Sequence, residues 1–487
     1  MPRPRPDRAV GLAARRDFGR VFFFPREFSS LAGTAKFSAQ RLFYCWCADA
    51  GGEGETMKLK ELLIQDFRGI EKLSIDFCGG EPEPQRLVVL AGPNGAGKTS
   101  VLEAILLGVG RRELLKYELA GNYRQVRSGA KDFVIQARFR TDSEDALLAT
   151  VAGFPIVHDD TETGFSCDFA PDGNELMVSL PGVLLWGSAK NTDVLSDDFR
   201  KIYFSLSAMN HRITYYSAWR EATLVGPLGP STVRSANGEA PRDDEESRLK
   251  DIKQAAINAA LHEKFGQGDA FTDVYLHKFN AWWNRFHDVQ PGHFEVTPIS
   301  GNPDEGFDFY LIRDDGAKVP LDMLSSGEME LLKFFRLMMR KQDGGIVLID
   351  EPEQHLHPKW HRLILPMILD LAPKAQVICA THSPQIIGST PPHQLWLTYL
   401  DDQGRIAIAQ PGHSFGMDAN RVLEELLDVA ARPEEVRDQI RNLFDLIETR
   451  KLDEAKQQVA SLRARLGDDP ELVRADALIR RKEAIGR

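Results

Sequence analysis

Residues 92–99 read Gly-Pro-Asn-Gly-Ala-Gly-Lys-Thr and satisfy G-x-x-x-x-G-K-[ST] at every position. The run Leu87-Val-Val-Leu90 ahead of them predicts a short buried strand. After them, Val101, Leu102, Ile105 and Leu106 fall on one helical stripe. Strand, glycine loop and helix is the context the motif requires, and it commits this part of the chain to an α/β arrangement. Glycines let backbone N–H groups close around phosphate oxygens, and the helix N-terminus adds a partial positive charge. Lys98 is then the residue that reaches β- and γ-phosphates, and the Thr99 hydroxyl is the ligand for Mg²⁺.

A second buried-strand run, Ile346-Val-Leu-Ile349, ends in Asp350-Glu351-Pro352. Two carboxylates after four apolar residues have little structural reason to be there. Asp350 can hold Mg²⁺ through water, and Glu351 can take a proton from an attacking water. The segment Gln354-His-Leu-His357-Pro358 and a helical pattern with Trp360, Leu363, Ile364 and Met367 follow. A third strand, Gln376–Ala380, runs into Thr381-His382-Ser383. His382 reads either as a satisfied surface histidine or as a donor to a γ-phosphate. Leu324-Ser325-Ser326-Gly327-Glu328 opens an amphipathic helix with Leu331, Leu332, Phe335, Met338 and Met339 inward. Taken alone, its serine is an ordinary N-cap. The placement of the run, with Gly327 18 residues before Gly345 at the start of the acidic strand, gives it a second meaning.

Gly92–Thr99, Leu324–Glu328, Ile346–Glu351 and His382, in that order, resemble the Walker A, signature, Walker B and switch-histidine motifs of the ATP-binding-cassette ATPases. The resemblance implies ATP and Mg²⁺ as ligands, and two copies that sandwich ATP between Walker A of one head and the signature of the other. It implies nucleotide contacts at Gly92, Asn94, Gly95, Gly97, Lys98, Thr99 and Ser100, with Ser325 and Gly327 reaching the partner's γ-phosphate. Glu351 is then the base and His382 the γ-phosphate sensor, with Thr99, Asp350 and a glutamine at the metal. Gln125 is the expected glutamine and Gln136 its competitor. His357 stands where the family's D-loop usually has Asp.

The opening Leu63-Ile-Gln-Asp-Phe67-Arg68-Gly69-Ile70 is similar to the start of the RecF, SMC and OLD-like group, which makes Arg68 a further nucleotide contact. The 228 residues from Gly97 to Ser325 exceed the interval in transporter cassettes, and no sustained heptads fill them. Within the group the chain resembles stand-alone ATPases of the PtuA type, found in Septu and retron-linked antiphage systems beside an HNH nuclease. That implies an ATPase acting as sensor or regulator of a nucleic-acid-targeting defence complex, with a separate HNH-type nuclease partner. A RecF-like repair ATPase without a nuclease and an assembly scaffold locked by ATP are the alternatives.

The net charge of −11 opposes nucleic acid in bulk, so DNA or RNA contact would need a local patch. Arg111, Arg112, Lys116, Arg124, Arg127 and Lys131 form one candidate. No apolar run approaches the ~20 residues of a membrane span, so no membrane contact is expected. Five scattered cysteines point to a reducing cytoplasm rather than a disulfide framework.

The expected division is a non-native or disordered extension over 1–56, which carries a charge of +3 and no regular period. An ATPase N-terminal part follows over 57–190, then a helical lobe over 191–320. The ATPase C-terminal part covers 321–412, and a helical partner-docking region covers 413–487. In the lobe, Gly226–Glu246 reads as a loop. Phe279, Trp282, Trp283 and Phe286 on a helix read as core or partner-facing rather than base-stacking. In the tail, stripes Val436-Ile440-Leu443-Phe444-Ile447 and Val459-Leu462-Leu466, stopped by Gly467, predict a helical hairpin. The fold class expected is an α/β P-loop ABC-ATPase head with a helical lobe and a C-terminal helical hairpin.

Overall fold

The computed structural model describes residues 57–108, 126–141, 158–160, 165–169, 175–181, 213–217, 245–264, 276–288, 290–301, 306–339 and 345–485. The expectations for 1–56, for Gln125, for the 226–246 loop apart from its last two residues, and for Arg111, Arg112, Lys116 and Arg124 lie outside these residues.

The structure is layered around two sheets. The first is antiparallel: β1 (Met57–Phe67), β2 (Ile70–Asp76), β4 (Val134–Thr141), β5 (His158–Asp160), β6 (Phe165–Phe169) and β7 (Glu175–Pro181), in spatial order β2-β1-β4-β7-β6-β5. The second holds β3 (Leu87–Ala91), β8 (Ile213–Tyr216), β12 (Gly345–Asp350), β13 (Ala375–Thr381), β14 (Leu395–Leu400) and β15 (Ile406–Ala409), in order β15-β14-β3-β13-β12-β8. All its pairings are parallel except β14 with β15.

Every residue of β3, β12 and β13 is buried. This is why these strands read as continuous apolar runs rather than alternating ones: both faces of a parallel sheet are covered. Val88, Leu90, Ile346, Leu348, Ile378 and Ala380 face one core, shared with Leu59, Leu62, Ile64 and Ile135 of the antiparallel sheet. Helix α1 (Lys98–Gly108) lies in this core, and Val101, Leu102 and Ala104–Leu107 are all fully buried. The intervening residues Val89, Val347, Ile349, Val377 and Cys379 face a second core. That core is built with α2 (Glu245–Lys264), α3 (His277–Phe286), α4 (Ser326–Met339), α5 (His361–Leu371) and a three-stranded antiparallel sheet of β9 (Gly292–Pro298), β10 (Phe307–Arg313) and β11 (Lys318–Pro320).

One side chain joins the two main sheets. Gln376 of β13 is fully buried. Its Oε1 accepts from the Leu59 N–H at 2.6 Å, and its Nε2 donates to the carbonyls of Leu59 (2.9 Å) and Gln85 (3.1 Å). Leu59 sits where the register between β1 and β4 shifts, so a side-chain amide supplies the partners that the strand ladder leaves out there.

The lobe is not helical alone, since β9–β11 complete it, and β8 of the same stretch joins the parallel sheet. Phe279, Trp282, Trp283 and Phe286 are buried, which makes them core residues. In the tail, α6 (Glu434–Glu448) and α7 (Leu452–Leu466) form the expected hairpin. A third helix, α8 (Pro470–Ile485), extends it. Leu472, Ala475 and Ile479 of α8 close on Ile440, Leu443, Ile447, Val459 and Leu462 in a core of their own. No helix among the described residues is long and apolar enough to cross a membrane.

Candidate functional site: a nucleotide-phosphate centre

In space β13 lies between β3 and β12, and all three run parallel. Their C-terminal ends therefore meet at one edge of the sheet, the usual place for a ligand in such a fold. That edge carries the glycine loop after β3, Asp350-Glu351 at the end of β12 and Thr381-His382 at the end of β13.

The loop depends on its glycines. Gly92 has φ 154°, and a Cβ there would fall 2.2 Å from the Thr398 carbonyl oxygen on β14. Gly97 has φ 83°, and a Cβ there would meet Ile406 of β15 at 2.9 Å. The β14–β15 hairpin is thus the wall behind the loop. Gly95 (φ 81°) has nothing within 4 Å of its Cβ position, so the backbone there, with exposed Asn94, is open to a ligand. The half-buried Ser100 follows on α1.

Lys98 is buried, and its Nζ donates to the carbonyls of Gly92 (2.8 Å) and Pro93 (3.0 Å). Burial pulls its pKa below the ordinary lysine value, while the charges of Asp350, Glu351 and Glu353 work the other way. The exposed Thr99 donates its hydroxyl to Asp350 Oδ2 at 2.8 Å. A hydroxyl and a carboxylate in contact beside a phosphate loop are the hard oxygen donors that Mg²⁺ takes, so the residues fit that ion.

Glu351 breaks the strand. Its φ of 51° is left-handed, a conformation that costs a non-glycine residue about 1–3 kcal/mol, and its N–H is held by the Ala380 carbonyl at 2.8 Å. Its Oε1 lies 3.4 Å from His382 Nδ1. The hydrogen bond to Glu351 raises the His382 pKa above the ordinary histidine value. Burial opposes the rise, the charges of Glu353 and Glu351 add to it, and Lys98 opposes it. The two residues read from sequence as base and sensor are therefore in contact.

Glu353 was not anticipated. It is buried, and its Oε1 accepts from the Thr381 hydroxyl (2.6 Å) and the His382 N–H (3.1 Å). Its only mark in the sequence is a third carboxylate in Asp350-Glu-Pro-Glu353.

The structure engages Arg68 with α1. Its guanidinium pairs with Glu103 and lies 5.1 Å over the Phe67 ring. Burial raises the Glu103 pKa, against the lowering effect of Arg68. Gln136 lies on the face of β4 opposite Ile135, Ala137 and Phe139, which pack toward α1. Of the basic candidates, Arg127 pairs with Glu71 at 2.7 Å and Asp66 at 3.6 Å, and Lys131 is exposed.

The signature segment is a capping box at the start of α4. Ser325 N–H and Oγ donate to Glu328 Oε2 at 2.8 and 2.7 Å, and Glu328 N–H points back to Ser325 Oγ at 3.4 Å. Glu328 Oε1 is 3.4 Å from His287 Nε2, and His287 stacks on Trp283 with centroids 4.1 Å apart. Burial works to raise the Glu328 pKa. The hydrogen bonds from His287 and Ser325 outweigh it and bring the value down to about 2. Gly327 is pressed on the segment after Walker B, where a Cβ would meet the His355 carbonyl at 3.0 Å. His357 caps the following turn, its Nδ1 accepting from Lys359 N–H at 3.2 Å.

Residues 185–388 match the family described as "AAA domain, putative AbiEii toxin, Type IV TA system", and residues 61–139 match one described as "AAA domain". The chain is 24% identical to the "Retron Ec83 probable ATPase" of Escherichia coli, covering 79% of this chain and 78% of that protein. It is 27% identical to Septu protein PtuA of Bacillus thuringiensis (76% and 83% covered). It is 28% identical to the DNA replication and repair protein RecF of Erwinia tasmaniensis (72% and 99% covered). Among solved structures, an Smc head bound to the C-terminal winged-helix domain of ScpA aligns with 72% of this chain and 97% of its own, at 15% identity and TM-score 0.41. Two stretches of the chain thus match AAA-domain families, and the chain as a whole is similar to retron-associated, Septu PtuA and RecF proteins.

Proposed function

We propose that this chain binds ATP between two copies of itself, hydrolyses it, and so regulates a nucleic-acid-targeting antiphage defence complex that works with a separate nuclease, of HNH type. The observation that carries the reading is the 2.8 Å contact of Thr99 with Asp350 at the mouth of the glycine loop, with Glu351 and His382 paired beside it. Backbone N–H groups of Gly92–Thr99 and the Lys98 ammonium bind the phosphates. Thr99 and Asp350 would hold Mg²⁺, which when bound screens charge on the β- and γ-phosphates. Glu351 orients a water and accepts its proton as the water oxygen bonds to the γ-phosphorus and the bond to the β–γ bridging oxygen breaks. His382, held by Glu351, donates to a γ-phosphate oxygen.

Ser325 and Gly327 belong, in this reading, to the partner copy's site. Support comes from the exposure of Ser325, whose contacts in its own chain are with Glu328 and not with the loop. The similarity to Septu and retron proteins supports the defence setting.

Phosphate release by the full chain, read beside light scattering with and without ATP, tests the proposal. Turnover should rise with protein concentration, Glu351→Gln should trap an ATP-bound dimer, and Lys98→Ala should abolish nucleotide binding. Full turnover by a dilute monomer, or wild-type hydrolysis by Glu351→Gln, would refute it. A repair role without a nuclease is favoured by the match to 99% of a RecF protein, and DNA-stimulated hydrolysis by the chain alone would select it.

A further inference from the structure

Glu353 is a buried carboxylate that the proposed hydrolysis leaves without a task. It is 6% exposed, and one of its oxygens gathers the end of β13. Oε1 accepts from Thr381 Oγ1 at 2.6 Å and from the His382 N–H at 3.1 Å, and stands 3.8 Å from His382 Nδ1. The Thr381 hydroxyl has one proton. Because its oxygen accepts from the Ser383 N–H at 2.9 Å, that proton is free to go to Glu353. Three consecutive residues, 381–383, are thereby fixed through one carboxylate oxygen. Oε2 is buried and makes no hydrogen bond among the described residues.

The geometry has a consequence for the imidazole. His382 Nδ1 faces the acceptor Glu351 Oε1 at 3.4 Å, so Nδ1 is the nitrogen that carries the proton, while Glu353 Oε1 at 3.8 Å is beyond hydrogen-bond reach of the ring. Nε2 is then left for a phosphate oxygen. Glu353 sets where the ring sits through the His382 N–H and the Thr381 hydroxyl. We propose that Glu353 is a positioning residue: it holds the backbone of His382, so that Nδ1–H meets Glu351 and Nε2 meets the γ-phosphate. This deepens the hydrolysis reading above and rests on it.

Two conservative variants separate the idea from a merely structural role. Glu353→Gln keeps an oxygen at the same reach for both donors. Glu353→Asp keeps the charge but withdraws the oxygen by one methylene. The expected result is a kcat for Gln within about tenfold of wild type and a loss of about 10²-fold for Asp, the scale of an ~1 Å misplacement, with KM and fluorescent-ATP affinity near wild type in both. Nitrogen-15 NMR of the His382 ring without nucleotide should show the Nδ1–H tautomer in wild type and Gln, and its depletion in Asp. Wild-type kcat in Asp, a Gln variant as slow as Asp, or a loss expressed in KM would overturn the proposal. If the wild-type chain releases no more phosphate than Lys98→Ala, the hydrolysis reading fails instead, and the tautomer measurement still decides whether Glu353 holds His382.

Discussion

Replacing Arg68 by Ala strands the buried Glu103 carboxylate of α1. Glu103 is 5% exposed, and its ion pair with Arg68 joins the β1–β2 turn to the helix that follows the phosphate loop. Breaking a buried pair from one side costs about 3–5 kcal/mol, because the remaining charge keeps its desolvation penalty and loses its compensation. A cooperative unit of roughly 400 residues has an unfolding entropy of about 0.8 kcal/mol/K, so the loss converts to a fall in Tm of about 4–6 °C. The loss should depend on pH. Burial raises the Glu103 pKa in the fold, so the folded state holds a proton that the unfolded chain releases, and stability falls as pH climbs through the raised value. Without Arg68 the rise is larger, so the deficit should be small at about pH 4.5 and grow as pH climbs.

Differential scanning fluorimetry across pH on Arg68→Ala, Glu103→Gln and the double variant reads this directly. Glu103→Gln on the Arg68→Ala background should recover most of the Tm. An Arg68→Ala chain that melts within 1 °C of wild type at pH 8, or a double variant no better than the single, would refute the reasoning. The same proteins decide the second role read for Arg68. If the double variant recovers Tm but not ATP affinity, the arginine also touches nucleotide.

Gln376→Leu should remove three hydrogen bonds and leave the Leu59 N–H unpaired in the interior, a loss of about 3–5 kcal/mol visible as a lower urea midpoint. Glu328→Ala should lose the capping box at about 0.5–2 kcal/mol. Because Glu328 is held down at about 2, that difference should be complete above the usual carboxylate range and vanish as pH falls from about 4.5 toward 2, which acid titration of the two melts would show. Since Glu351 raises the His382 pKa, Glu351→Gln should lower it, and histidine NMR titration without nucleotide would register the downward move.

What could be read from the chain was what local chemistry dictates. The Gly92–Thr99 loop needs its glycines wherever it occurs, and β3, β12 and β13 carry apolar runs because both faces of the parallel sheet are covered. Glu351 and His382 were legible as strand-end residues, but their contact arises because β12 lies beside β13 in the sheet. Glu353 was missed because its contacts depend on the left-handed kink at Glu351 and on β12 lying against β13, neither of which has a local signal. Gln376 read only as the first residue of a strand, since its partner Leu59 is 317 residues away. Helix α8 was missed for a different reason. Its inward stripe of Leu472, Ala475 and Ile479 is thin and sits among Arg474, Arg480, Arg481 and Lys482, so the apolar period is weak. His287 gained a role through Glu328, a residue of another element 41 positions later.

The wall behind Gly92 and Gly97 is made by Thr398 and Ile406, some 300 residues downstream. During synthesis the loop therefore leaves the ribosome long before the residues that shape it. The loop gains its backing wall only once the β14–β15 hairpin has emerged.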